Sequence, residues 1–277
     1  MIQDFLQYDF LRNSFYAGLL IGLAAPLLGV FVVIRRLSLI ADALSHVTLS
    51  GIAASLLLEK TVFTGGFINP LYMGMIFSIG GSLLIEKLRN VYKHYQELAI
   101  PIILSSGIGL GVIFISLANG FNTDLFNYLF GSVSAVTATD LGTIFAVTLL
   151  VVVIIVLFYK ELFLLSFDEE YATATGLRAK WIHFIFIILV ALVIAVSMRV
   201  VGILLVSSLM TLPVAASIRI AKGFKQTIFF SVLFGETAVI GGLIFSYQLD
   251  LAPGGTIVII AVLILIGAIL WKKKKTA

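Results

Sequence analysis

Residues 13–36 read NSFYAGLLIGLAAPLLGVFVVIRR, an uncharged run that ends in two arginines. About 20 apolar residues in a helix cross the roughly 30 Å hydrocarbon core of a bilayer. Similar, mostly apolar runs lie at about 13–34, 38–58, 67–85, 98–117, 141–159, 182–198, 200–218, 227–247 and 255–271. Barrel strands would be shorter and would alternate apolar with polar residues. The sequence therefore predicts an all-α polytopic membrane protein, with one transmembrane domain over residues 1–277 and eight or nine spanning helices.

The composition supports this fold class. Of the 277 residues, 61% are hydrophobic and 12% are charged, too few charges to cover the surface of a soluble domain of this length. The absence of cysteine excludes disulfides and thiolate metal sites. No G-x-x-x-x-G-K-[ST] phosphate loop occurs, so this chain carries no ATPase site of that kind. If the chain takes part in ATP-driven transport, another chain must supply the hydrolysis, and this chain itself is not expected to be an enzyme.

Lysine and arginine segregate to one side of the membrane if the predicted spans alternate in direction. Fifteen of the 18 lie on that side: Arg35, Arg36, Lys87, Arg89, Lys93, Lys160, Arg178, Lys180, Arg219, Lys222, Lys225, Lys272, Lys273, Lys274 and Lys275. Arg12, Lys60 and Arg199 lie on the other. The positive-inside rule predicts that the rich side is cytoplasmic, with the N-terminus outside. The formal charge of +4 then reflects topology, and nucleic acid is not expected as a partner.

The second predicted span begins LSLIADALSHVTLSGIAAS, residues 37–55, and holds Asp42 and His46. Residues four apart share one face of a helix. His46 lies ten residues past Arg36, about 15 Å into the membrane, where ionisable groups need partners. A carboxylate and an imidazole suit zinc or manganese. An Asp–His pair that only joins helices is the alternative, and the spacing leaves both open.

Three further features are candidates for function. Glu236 lies eleven residues past Lys225, near mid-membrane, and would either add a carboxylate to a metal path or pair within a helix break. Pro213 would kink the seventh predicted span, as a hinge or a simple bend. Asp168, Glu169 and Glu170 precede a short helical stretch that Gly176 can end. Such a charged helix is either a docking element or a solvated connector.

Five stretches together resemble the membrane permease subunit of ABC-type metal-ion (zinc/manganese/iron) importers, over nearly the whole chain. They are DALSHVTLSG from Asp42, YLFGSV from Tyr128, SFDEEYATATG from Ser166, VGILLVSSLMTLPVAAS from Val201 and SYQLDLAPGGTIV from Ser246. The resemblance implies a type II-like homodimeric permease in a bacterial cytoplasmic membrane. Its partners would be a cytoplasmic ATPase subunit, an extracellular metal-binding protein and a second copy of itself.

The resemblance also implies roles for individual residues. Asp42 and His46 would belong to the metal path, and the segment from Ser166 and Phe167 to Gly176 would be the loop that couples to the ATPase. Many members have proline where this chain has Glu169, a departure from the family pattern. Manganese-type members often have proline just before the glycine that ends the first motif. This chain has Ser50 before Gly51 instead, which favours Zn²⁺ over Mn²⁺ as the transported ion. No permanently bound cofactor is expected.

Two other classes of function remain open on the sequence alone. An ion-coupled secondary transporter of metal or a small solute would also place a polar pair at mid-membrane. Such a transporter would normally show inverted repeats and would need no ATPase. A structural membrane component would use Asp42 and His46 only as packing contacts.

Overall fold

Twelve α-helices make up most of the computed structural model, which describes residues 8–61, 69–118, 120, 123–132 and 134–276. They are α1 Asp9–Ile34, α2 Ser38–Thr61, α3 Pro70–Val91, α4 Ala99–Leu117, α5 Thr123–Phe130, α6 Ala138–Leu157, α7 Tyr159–Phe167, α8 Glu169–Ala174, α9 Ala179–Val201, α10 Val206–Ile220, α11 Phe224–Leu249 and α12 Pro253–Thr276. A 3-10 turn, Gln96–Leu98, precedes α4. No strand occurs in this part of the chain. The predicted all-α fold class is confirmed.

Eight of the described helices are long and apolar enough to cross a membrane: α1, α2, α3, α4 with its preceding turn, α6, α9, α11 and α12. The predicted span at about 200–218 corresponds to α10, which has only 15 residues and a length of about 22 Å. It is short because Gly202 leaves the helical conformation with φ 84°. The next residue, Ile203, donates its N–H to the Tyr128 carbonyl at 2.9 Å instead.

The interior is built around α1, α2 and α9, the three spans that the rest of the chain buries most. Helix α1 packs against α6, α9, α10 and α11, whereas α2 packs chiefly against α3 and α4. Phe31 of α1 and Phe186 of α9 meet edge to face with their ring centroids 6.2 Å apart. Helix contacts in a membrane depend on such close packing, because lipid gives no hydrophobic drive for helices to associate.

Short connections give the bundle two distinct ends. One end holds the α1–α2, α3–α4, α6–α9 and α10–α11 connections and the last turn of α12. We call this end the basic face and the other end the opposite face. At the α1–α2 turn, Arg36 adopts φ 58° and Leu37 donates its N–H to the Val32 carbonyl at 2.9 Å. The chain therefore reverses within three residues, and α2 re-enters the bundle directly after two arginines.

Candidate metal path

Asp42 and His46 lie in the first half of α2, on one face of the helix. At about 1.5 Å per residue they stand about 6 Å and 12 Å from the helix start at Ser38. Both side chains are half-buried. Within the described residues, no three His, Cys, Asp or Glu side chains come together as a metal cluster. The described part of the chain therefore brings no third side chain of these types to the Asp42–His46 pair.

Glycines in the neighbouring helices hold the backbone beneath His46. A Cβ at Gly107 of α4 would lie 3.2 Å from the His46 carbonyl carbon and 3.0 Å from the Val47 nitrogen. A Cβ at Gly81 of α3 would lie 2.8 Å from the Val47 side chain. The Ser50 hydroxyl donates to the Gly107 carbonyl or, at 3.0 Å, to that of His46. The pair is thus carried by a helix that has little freedom to shift against α3 and α4.

Glu236 occupies a different part of the molecule. It lies halfway along α11, and its carboxyl group packs against Gly22 of α1, where a Cβ would lie 3.1 Å from Oε2. That Oε2 is buried and has no hydrogen-bond partner. Nearby, Pro26 deprives the Gly22 carbonyl of its helical donor. The helices packed on α11 are α1, α10 and α12, so the structure does not bring Glu236 to the Asp42–His46 pair.

Pro213 lies inside α10, which continues as a helix on both sides of it. Pro213 is buried, and the Met210 carbonyl three residues earlier lies directly against Gly29 of α1. A side chain at position 29 would overlap that carbonyl. The proline therefore lies three residues beyond a close contact between the α10 and α1 backbones, on a helix that also packs against α2.

The acidic segment at the basic face is the short helix α8, as the sequence predicted. Asp168 caps it by accepting the Tyr171 N–H at 2.8 Å. Gly176 ends it with φ 84°: its N–H bonds to Thr173, and the N–H of Leu177 bonds to Ala172, the two bonds of a Schellman motif. Ser166, at the end of α7, donates to the Leu162 carbonyl at 2.6 Å. The cap and the glycine together fix both ends of this six-residue helix on an exposed surface.

The exposed surface of this segment is partly aromatic. The side chains of Phe167 and Tyr171 are 61% and 58% exposed, and Glu169 and Glu170 are exposed beside them. Ala172, in contrast, is buried against the bundle. One side of α8 is therefore anchored, and the other presents rings and carboxylates outward.

A polar cluster beside α8 escaped the sequence analysis. His183, only 6% exposed, places Nε2 3.0 Å from Glu86 Oε2 and 3.1 Å from an Arg89 nitrogen. These contacts join the end of α3 to the start of α9. A groove of about 1160 Å³ opens between this cluster and α8. The sequence showed only an i, i+3 Glu–Arg pair at the end of one span and a histidine at the start of another. No feature of the sequence indicated that these residues contact each other.

At the opposite face, three of the family-like stretches meet. A Cβ at Gly202 would lie 2.5 Å from the Gly131 nitrogen, and one at Gly254 would overlap the Val201 carbonyl. Beside this glycine junction, Arg199 stacks on the Tyr128 ring at 4.6 Å and reaches the fully buried Asp140 at 3.5 Å. The ends of α5, α9 and α12 therefore touch backbone to backbone.

Comparisons with known proteins agree with these motifs. The profile described as ABC 3 transport family matches residues 7–272. A "Probable metal transport system membrane protein" of Treponema pallidum (strain Nichols) is 37% identical over 260 residues, 94% of each chain. "Manganese import system permease protein ScaB" of Streptococcus gordonii is 34% identical over 268 residues, 95% of this chain and 93% of the relative.

A solved structure extends the similarity to three dimensions. "PsaBC from Streptococcus pneumoniae in complex with Fab" superposes with a TM-score of 0.83 at 31% sequence identity, over 97% of this chain and 95% of that chain. Family profile, relatives and fold thus cover nearly the same residues. The resemblance predicted from the five stretches is confirmed, and the chain belongs to the ABC 3 transport family.

Proposed function

We propose that this chain is the membrane permease of an ATP-driven importer of a divalent transition metal. The observation that carries the proposal is the Asp42–His46 pair, an oxygen and a nitrogen ligand on the most buried span of a chain that belongs to this family. Relatives named for metal and manganese transport support the same class of cargo. The metal ion is the substrate, and no resident ion is required.

Two ligands per chain suit transport better than storage. A path must bind its ion strongly enough to admit it and weakly enough to release it. Asp42 would contribute a carboxylate oxygen and neutral His46 a ring nitrogen, with water filling the remaining positions. In a homodimer, a second copy would bring an equal pair. Glu236, deeper in the membrane beside Gly22, would be a separate carboxylate on the route, to be tested by uptake in Glu236→Gln.

We place manganese ahead of zinc as the cargo. The resemblance favoured zinc because Ser50, and not proline, precedes Gly51. The Ser50 hydroxyl is buried and bonds to helix carbonyls. The relative from Streptococcus gordonii is named for manganese import. An oxygen and an imidazole ligand with open positions also suit the higher coordination number of manganese.

Energy would come from a separate chain. The segment from Ser166 to Gly176 would seat on a cytoplasmic ATPase subunit, since Phe167, Tyr171 and two carboxylates stand exposed there. The basic face would then be cytoplasmic, as the positive-inside rule predicts, in a bacterial cytoplasmic membrane. An extracellular metal-binding protein would deliver the ion to the opposite face.

The test is ATP hydrolysis by the permease reconstituted with its ATPase and binding protein, across Mn²⁺, Zn²⁺ and Fe²⁺. We expect loaded binding protein to stimulate hydrolysis, most strongly with Mn²⁺. Uptake that proceeds without the ATPase and follows an ion gradient would instead favour the secondary transporter. A complex that forms normally but neither hydrolyses ATP in response to metal nor takes it up would contradict a transport role.

A further inference from the structure

Two apolar grooves lie side by side on the basic face and share the residues between them. The first, of about 460 Å³, is lined by the rings of Tyr159, Phe163 and Phe224. The second, of about 500 Å³, has walls of Phe229, Phe230 and Trp271, with Ile220 at its end. Lys222, Lys225 and Gln226 line both grooves. A pair of lysines therefore stands at the junction of two ring-lined channels.

The residues around the grooves indicate the depth where a bilayer changes from hydrocarbon to headgroups. Phe229 and Phe230 belong to the first turns of the spanning helix α11, and Trp271 lies at the end of α12, followed by lysines. Aromatic rings beside lysines are typical of the membrane–water interface. The side chain of Phe229 is 65% exposed and that of Trp271 47%, so the bundle leaves both open to their surroundings. Lipid can reach side chains that the bundle leaves exposed at a membrane interface.

The junction is positively charged, and the described residues supply it with no counterion. Lys222 and Lys225 are exposed, and no carboxylate of the described chain forms an ion pair with either. The Gln226 side chain accepts the Lys222 N–H at 2.9 Å, which holds the turn in place. Helix α11 starts here with its N-cap Gly223 providing no side-chain cap, so its first N–H groups add partial positive charge.

We propose that this site binds one anionic phospholipid. The phosphate lies on Lys222 and Lys225, and the two acyl chains lie in the two grooves on either side. One charged group between two apolar channels matches the chemistry of a two-chain lipid better than that of a free phosphate, which has nothing to place in the grooves. This site is separate from the metal path and does not depend on the identity of the cargo.

The first groove connects this site to the acidic segment. The Phe224 ring lies 4.9 Å from Phe163, 5.8 Å from Phe167 and 5.4 Å from Phe31, centroid to centroid. An acyl chain that fills the first groove therefore packs against α7, which leads into α8. Bound lipid should raise the thermal stability of the permease as well as occupy its surface, because it binds only the folded state.

The experiment compares lipids retained by the purified permease in detergent, by native mass spectrometry after addition of phosphatidylglycerol or phosphatidylcholine. We expect the wild-type permease to retain one phosphatidylglycerol in preference to phosphatidylcholine. The double variant Lys222→Gln/Lys225→Gln should bind phosphatidylglycerol about thirtyfold more weakly. This factor follows from about 1 kcal/mol for each lysine and about tenfold in affinity for each 1.4 kcal/mol. Lys87→Gln/Lys93→Gln removes the same charge from exposed positions of the same face and should keep the preference. Lys222→Arg/Lys225→Arg should keep it as well.

Several results would overturn the proposal. Equal retention of the two lipids by wild type would do so, as would equal weakening in the Lys87/Lys93 control. A photoreactive residue at position 229 tests the occupant directly in nanodiscs that hold the assembled transporter. Cross-links to phosphatidylglycerol support the proposal, whereas cross-links only to another protein chain would show that a protein interface covers the grooves.

Discussion

Asp42 and His46 are half-buried, whereas the backbone beneath His46 is held by Gly107. Truncating either side chain should therefore remove a ligand without disturbing the packing of α2. We expect Asp42→Ala and His46→Ala each to lower metal uptake by more than about tenfold, since even loss of a group that only orients a ligand costs 10- to 100-fold. The measurement is uptake of radioactive manganese per amount of folded permease recovered in detergent.

Leu39→Ala is the matched control for these variants, because position 39 is exposed on the same helix one turn earlier. It should leave uptake unchanged. If the Asp42 and His46 variants disappear from the membrane, the two residues form a structural pair, since removing one member of such a pair strands the other. Folded variants with normal uptake would exclude them from the metal path.

Gly202 offers a test of backbone packing at a single residue. It has φ 84°, and a Cβ there would lie 2.5 Å from backbone atoms of Phe130 and Gly131. Gly120 has a similar φ of 87° but open space around its Cα. We expect Gly202→Ala to destabilise the permease by about 1–3 kcal/mol more than Gly120→Ala, because only the first adds overpacking to backbone strain. Equal melting temperatures for the two variants would refute the close contact.

At the level of elements, α8 is defined by its two ends. Asp168 supplies the cap, so replacing it would unwind the helix as well as change its charge. Glu169 occupies the first helical position, where a carboxylate favours the helix dipole and a proline is also well tolerated. The departure from the family's proline therefore leaves the local structure intact.

Reversing the charge of Glu169 and Glu170 to lysine should weaken assembly with the ATPase while the permease stays folded. Both side chains are exposed, and their neighbours Phe167 and Tyr171 are uncovered. The measurement is co-purification of the ATPase together with metal-stimulated hydrolysis. Glu97→Lys, an exposed acid elsewhere on the basic face, should behave as wild type. If the double variant keeps full assembly and hydrolysis, the docking surface lies elsewhere.

For the whole molecule, the distribution of charge predicts orientation. Fifteen of 18 lysines and arginines lie at the basic face, so we expect an epitope tag placed after Ala277 to be cytoplasmic. Labelling of intact and permeabilised cells decides this, with a tag between Glu59 and Pro70 as the reciprocal control. Labelling of the C-terminal tag in intact cells would show that the C-terminus is outside and that the predicted orientation is wrong.

The sequence predicted what depends on local composition. Run length predicted eight of the nine spans, and Gly176 predicted the end of α8. The sequence placed Asp168, Glu169 and Glu170 before that helix, whereas Glu169 and Glu170 form its first turn. Contacts between distant segments could not be predicted in this way. Helix α10 is short because Ile203 bonds to Tyr128. The cluster at His183 depends on Glu86, nearly one hundred residues earlier. The position of Glu236 depends on its contact with Gly22 of α1.

The glycine junction at the opposite face has a mechanical consequence. Gly131, Gly202 and Gly254 leave no compressible layer of side chains between the ends of α5, α9 and α12. Helix α9 follows α8 directly and runs about 34 Å between the two faces. One end of this continuous helix therefore lies beside the acidic segment, and the other end packs backbone to backbone against two neighbouring helices. We therefore expect a tilt imposed at the basic face to move these three helix ends together on the far side of the membrane.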